Sequence, residues 1–177
     1  MKNWVREHMA GWQYPVDIQP TELAYLAGIL DGEGVISIHA HTKRHQSKGR
    51  KGEPYKILQP AVQVYNCNTT LIRWLTERIG FSANGRDRRK ARTSYQVVVT
   101  GYSTHSILLP LLDYLIAKKP QALLVLEYTE IRAARSDREY NPTYGRREVE
   151  IWQTLQELNW KKFDPFVVRE YPNMSMT

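Results

Sequence analysis

Two stretches of this chain alternate apolar and polar residues so regularly that each must form a strand with one dry and one wet face. From Val35 to His41, Ile36, Ile38 and Ala40 alternate with Ser37, His39 and His41. Residues 55–66 do the same, with Leu58, Val62 and Val64 opposed to Gln59, Ala61, Gln63 and Tyr65. Between them, His45 to Pro54 is rich in Lys, Arg and Gly and is expected to be a basic hairpin tip. A second hairpin is expected further on, where Arg86, Arg88, Arg92, Ser94 and Gln96 occupy one face and Tyr95, Val97 and Val99 the other. Strands with a single apolar face must be covered on that face by helices, leaving the other free.

The helices that can supply the cover are visible between and after the hairpins. Thr21 can cap one that runs to Gly32, where Gly32-Glu33-Gly34 is expected to end it. Asn68 or Thr69 caps another to about Ile79, with Leu71, Ile72, Leu75 and Ile79 at helical spacing. Ser103 opens a helix through Leu115. Gln121 to Arg135 is apolar nearly all round and should be buried, and Thr143 to Trp160 is amphipathic, with Trp152, Leu155 and Leu158 expected in the core. Trp4, Val5, His8, Met9 and Trp12 suggest a short docking helix before a Pro-bounded connector. The expected organisation is an N-terminal extension over 1–20, a single domain over 21–160 and a tail over 161–177. Its class is α+β, with the order αββαββα, an antiparallel sheet and helices on one sheet face.

The helix ending at Gly32 has a second property. Ala24, Gly28 and Gly32 recur every fourth residue, so one stripe carries almost no side chains and two such backbones can approach closely. Asp31 and Glu33 stand at its C-terminus, where the helix dipole disfavours a carboxylate by ~0.3 to 1 kcal/mol, so positive charge should lie nearby. If a symmetry axis passes between two copies, two Glu33 carboxylates meet near it, and divalent cations relieve the repulsion.

The stretch Leu26-Ala27-Gly28-Ile29-Leu30-Asp31-Gly32-Glu33-Gly34 resembles the nine-residue motif of the LAGLIDADG homing endonucleases. It departs in Ile-Leu for Leu-Ile, in Gly32 for the usual Ala and in Glu33 for the last Asp. The order of elements over residues 21–135 resembles the single-motif branch of that family. The resemblance implies a metal-dependent, site-specific endonuclease that hydrolyses phosphodiester bonds in a long duplex target and leaves 3′ overhangs, as in intron homing. It implies Glu33 as the metal-binding carboxylate, with the Gly32 carbonyl beside it, and Mg²⁺ as cofactor with Mn²⁺ as substitute. Lys118, just before Gln121-Ala122, falls where the family has a lysine near the scissile phosphate. Asn66 occupies a position usually held by a polar residue that orders water, and Thr70 departs from a basic residue found in relatives. The motif occurs once, so two active-site halves require a homodimer through Ala24, Gly28 and Gly32 and a pseudo-palindromic site.

Charge supports a nucleic-acid partner. Residues 43–92 hold 13 Lys and Arg against Glu53, Glu77 and Asp87, so this middle third carries a surplus larger than the +7 of the whole chain. Ser37, His39, His41, Gln59, Gln63, Tyr65, Arg86, Arg88, Ser94 and Gln96 are expected over base edges in a major groove, which admits a two-stranded ribbon. Lys43, Arg44, Lys48, Arg50, Lys51, Arg89, Lys90 and Arg92 are expected at phosphates. His39, His41 and His45 lack a Cys or carboxylate partner at zinc spacing, which disfavours a zinc nuclease. Cys67 is the only cysteine, which excludes an intrachain disulfide and fits an intracellular setting. No secretory or membrane segment and no small-molecule substrate are expected. The rival readings are a non-cutting DNA regulator or RNA maturase on the same fold, and a basic structural protein with a coincidental motif.

Overall fold

The computed structural model describes residues 13–47, 50–86, 94–134 and 144–159. The predicted helix over 4–12, the turn of the second hairpin with Arg88, Arg89, Lys90 and Arg92, Lys48, and the tail all lie outside them. The α+β expectation holds. Helix α1 (Pro20–Glu33) leads into β1 (Gly34–Ser47) and β2 (Arg50–Asn66). Helix α2 (Thr69–Arg73), β3 (Ser82–Arg86), β4 (Ser94–Thr100), α3 (Ser103–Leu108), α4 (Lys119–Ala134) and α5 (Arg146–Asn159) follow. The four strands form one antiparallel sheet in the order β1-β2-β4-β3.

The alternation decides which face is buried. Ile36, Ile38, Leu58, Val62, Val64, Val97 and Val99 join Leu26, Leu30, Leu75, Ile107, Leu111, Val125, Ile151, Trp152 and Leu155 in one core beneath the helices. Helix α1 packs on β1 and β2, α4 and α5 on β1, and α3 on β4 and β2. Helix α4 is not buried all round as expected: one side with Ala122, Val125, Leu126, Tyr128 and Thr129 is buried, while Leu123 is half exposed and Glu130 exposed, and Leu158 on α5 is exposed, contrary to its predicted place in the core. It lies at the margin of an amphipathic helix whose buried stripe is already filled by Ile151, Trp152 and Leu155.

Polar side chains finish what strand pairing leaves open. β1 is an edge strand, and α5 covers it by donating from Asn159 Nδ2 to the Ile36 carbonyl (2.9 Å) and from Gln156 Nε2 to that of Ile38 (3.4 Å). β4 pairs with β2 only from Ala61 onward, so Leu58 lies beyond the ladder. There the Tyr144 hydroxyl accepts from the Leu58 N–H (2.6 Å), and the Tyr128 hydroxyl donates to its carbonyl (2.9 Å). The start of α1 is tied to the end of the following helix by Arg78, whose Nε and Nη2 grip both oxygens of Glu22 at 2.7 and 2.8 Å while Nη1 meets Asp17 at 2.8 Å.

Several boundaries differ from expectation, each for a local reason. Helix α1 starts at Pro20 with Gln19 as its cap, because proline suits the first helical turn and Glu22 reaches back to the Gln19 N–H at 2.9 Å. The basic tip is mostly strand: β1 continues to Ser47 and β2 begins at Arg50, with a register shift between Arg44 and Gln46. Pro54 is tolerated there because β2 has no second neighbour at that level to receive an N–H. Asn68 caps α2 as expected, accepting from Thr70 and Leu71 N–H groups, but the continuation over Trp74–Arg78 widens into a π-helical turn. Pro110 lacks an N–H, so α3 tightens into a 3₁₀ turn at Leu109–Leu111 and does not run on to Leu115.

Gly34 corrects a mechanism. Its φ is −78°, so it is no left-handed helix stop; the chain passes straight from α1 into β1. What demands glycine is proximity, because a Cβ there would lie 2.7 Å from the Leu30 Cα and carbonyl oxygen. Gly34→Ala is expected to destabilise the fold by about 1 to 3 kcal/mol, as overpacking against backbone does. Thermal unfolding checks this, and an unchanged midpoint would refute the close-contact explanation.

Candidate active site and nucleic-acid face

The end of α1 meets the end of β2 and the turn before α4, and this junction gathers Glu33, Asn66 and Lys118. Glu33 is exposed at the last helical position. Asn66 ends β2, and its amide donates to Glu33 Oε2. Its own carbonyl oxygen accepts from the Asn68 N–H at 2.7 Å, which fixes which end of the amide faces the carboxylate. Asn66 is thus brought directly against the predicted metal-binding acid, and Thr70 is exposed on α2 close behind in sequence.

The positive charge expected at the helix terminus is Lys118. Its ammonium donates to the carbonyls of Leu30 and Asp31 at 2.8 and 2.5 Å in the last turn of α1, where the Leu30 carbonyl also accepts from the Gly34 N–H. Asp31 closes the clasp in the opposite sense: its carboxylate accepts from the backbone N–H groups of Ile116 (2.7 Å) and Lys118 (2.8 Å). Burial pushes the Asp31 carboxyl up, but the backbone N–H donors of Ile116, Lys118 and Ala117, together with the Lys118 charge, outweigh it and hold the group below its ordinary value. Burial lowers Lys118, with the Asp31 charge acting the other way. Sequence reasoning placed both acids at the helix end but missed this division. Asp31 is spent on holding the 116–118 turn, which leaves Glu33 as the exposed carboxylate.

Ala24, Gly28 and Gly32 are exposed, and they line a shallow hollow with Tyr25, Ile29, Glu33 and Leu71. A Cβ built on Gly28 or Gly32 meets nothing within 4 Å, so the stripe is not packed against the described residues of its own subunit. Tyr25 stands edge-on to Trp74 with ring centroids 5.2 Å apart, forming an aromatic wall to one side. The buried face of the same helix, Leu26, Ala27 and Leu30, belongs to the core.

On the sheet face away from the helices, register brings the predicted polar side chains together. His39 pairs with Gln59, Gln63 with Val98, Tyr65 with Gln96, and Arg86 with Ser94. Ser37, Gln63 and Gln96 are largely shielded from solvent, whereas His41 and Lys43 are exposed toward the hairpin tip. Ser37 Oγ lies 3.1 Å from His39 Nε2, and the His39 and His41 ring centroids are 6.1 Å apart. Burial lowers the His39 pKa, the neighbouring His41 adds to this, and Gln63 acts the other way. Arg44 and Arg86 lie on strands, in register with Pro54 and Ser94.

A divalent cation has partial support from one protomer. Glu33 and the Gly32 carbonyl are hard oxygen donors, suited to Mg²⁺. Among the described residues no three His, Cys, Asp or Glu side chains cluster to hold a metal. No helix among the described residues is long and apolar enough to cross a membrane.

No protein-family model matches the sequence, and no curated protein is significantly similar to it. Solved structures are similar in fold. The homing endonuclease I-CvuI, in complex with its target in the presence of 2 mM Ca, matches with a TM-score of 0.57 at 18% identity, over 87% of each chain. The archaeal intron-encoded homing endonuclease I-Vdi141I, complexed with DNA, matches with a TM-score of 0.54 at 18% identity, over 82% of this chain and 88% of that one. The I-LtrWI LAGLIDADG homing endonuclease bound to target DNA gives 0.58 at 11% identity, over 88% of this chain and 50% of that one. At these identities the likeness establishes architecture, and the architecture of this chain is that of the LAGLIDADG homing endonucleases.

Proposed function

We propose that the chain is a LAGLIDADG homing endonuclease that acts as a homodimer on a long, pseudo-palindromic duplex site and makes a staggered break with 3′ overhangs. The observation that carries this reading is the exposed glycine-lined face of α1, which ends at the exposed Glu33 carboxylate beside the polar sheet face. The likeness in fold to proteins solved with DNA supports the choice of partner. The chain matches most of I-CvuI but half of I-LtrWI, as expected of one structural unit that needs a second copy.

In this reading Glu33 from each protomer, with the Gly32 carbonyl, holds divalent cations near the twofold axis. Mg²⁺, when bound, supplies charge neutralisation on the scissile phosphate and lowers the pKa of bound water. Asn66 holds the Glu33 carboxylate in one orientation through the bond already described. Lys118 spends two ammonium donors on α1 carbonyls, which leaves one of its three for a phosphate oxygen or an ordered water and places positive charge near the strand. The hairpins lie along the major groove, with His41 and Lys43 near the outer end and Gln63, Tyr65 and Gln96 nearer Asn66 and the cut.

The test is incubation of the purified protein with a randomised duplex library and Mg²⁺ or Mn²⁺, followed by sequencing of the cut ends. One recurrent pseudo-palindromic site with 3′ overhangs is expected, together with a dimeric mass by light scattering on DNA. Binding without cutting would favour a regulator on the same fold. Recovery of RNA in preference to duplex DNA would favour the maturase reading.

A further inference from the structure

Gln63 and Gln96 occupy the middle of the sheet face away from the helices, and one side chain lies between them. The Tyr65 hydroxyl donates to Gln63 Oε1 at 2.9 Å and accepts from Gln96 Nε2 at 3.0 Å. Tyr65 is two residues from Gln63 on the same face of β2 and is the register partner of Gln96 on β4. We infer that Tyr65 sets the hydrogen-bond polarity with which the two glutamines meet a base pair, and so acts as a specificity-determining residue. This rests on the DNA-facing role proposed above for the sheet.

The reason is the proton count of a hydroxyl. A free glutamine reads adenine by offering its carbonyl and its amine together. A phenol carries one proton, so it donates to one amide and accepts from the other. Whichever way the relay runs, one glutamine has a carbonyl lone pair engaged and the other one of its two N–H groups, which turns that end of each amide toward the phenol. In the observed direction Gln63 offers N–H and matches base acceptors such as guanine O6 or thymine O4. Gln96 offers its carbonyl and matches exocyclic amines such as those of adenine or cytosine. Both glutamines are under 10% exposed, so little of either amide is open, and the contacts to Tyr65 fix which part that is.

Selection of bound sites from random duplex DNA tests this with wild type, Tyr65→Phe and Gln96→Glu, each checked for an unchanged unfolding midpoint. Tyr65→Phe frees both amides, and adenine is expected to gain roughly tenfold at the positions facing them, the size of one base-pair discrimination, with other positions unchanged. In Gln96→Glu the carboxylate takes the phenol proton, so Gln63 must turn its amine to the hydroxyl and present its carbonyl. Preference at the Gln63 position is then expected to reverse, although Gln63 itself is intact. Should Tyr65→Phe not fold, Gln96→Glu alone decides. Wild-type site preference in the folded variants, or a change in Gln96→Glu confined to the position facing Gln96, would overturn the inference. Failure of the wild type to select any duplex would instead overturn the DNA reading beneath it.

Discussion

Glu33→Gln is expected to lower the rate of DNA cleavage by roughly two to three orders of magnitude or more, the scale of losing one preorganised charge-stabilising group. Binding to uncut target should stay within a few-fold of wild type. The substitution is nearly isosteric, the residue is exposed, and the Asn66 amide can still donate to the new carbonyl oxygen, so the fold has no reason to change. What is lost is the negative charge, on the one carboxylate at this junction that has no backbone to hold. Asp31 offers no substitute, because both its oxygens are engaged by the 116–118 turn. Parallel cleavage and gel-shift titrations separate the two effects. Cutting near the wild-type rate would remove Glu33 from the mechanism, and loss of binding in step with cutting would make its role structural.

The second large effect concerns the stripe. Gly28→Leu should leave the protomer folded, since a Cβ there meets nothing within 4 Å. Helix α1 should even gain up to about 1 kcal/mol from the removal of a helical glycine. The cost falls on association. A leucine inserted between two closely packed helices is an overpacking defect of about 1 to 3 kcal/mol, equivalent to roughly 5- to 150-fold weaker dimerisation, and more if the backbones cannot separate. Light scattering and thermal unfolding on the same sample are the measurement: the mass should fall toward that of a monomer while the midpoint holds or rises, and double-strand cutting should disappear with the dimer. A dimer of unchanged affinity would place the interface elsewhere. Gly34→Ala should act on the fold of the protomer instead. Both glycines flank the same motif, but Gly34 is closed in by Leu30 of its own helix, whereas Gly28 faces open space.

Much of the fold was legible because its elements obey short-range rules. The period-2 alternation from Val35 and from residue 55 assigned both strands and both faces, and the observed register keeps Ser37, His39, Gln63 and Tyr65 on one side. Asn68 as a cap and the amphipathic α5 followed from local chemistry in the same way. The errors came where a distant neighbour outweighed a local signal. Gly52 and Pro54 read as a loop, yet cross-strand pairing carried β2 through them. Ser103 to Leu115 read as one helix until Pro110 removed a donor that the turn required. Nothing near Leu58 in sequence announces that Tyr128 and Tyr144 will satisfy its backbone.

The candidate site divides along the same line. By itself the sequence determined that an acid-tipped, glycine-striped helix leads into a strand with one polar face, because residue spacing alone dictates which side chains share a helix stripe or a strand face. Only the tertiary structure decided that the stripe is exposed, that Asp31 is consumed by the 116–118 turn while Glu33 stays exposed, and that Lys118 reaches Asp31 from 87 positions away in the chain and Asn66 reaches Glu33 from 33. Those facts depend on which surfaces remain uncovered and which hydrogen-bond donors arrive from remote segments, and both are settled only when the whole core closes.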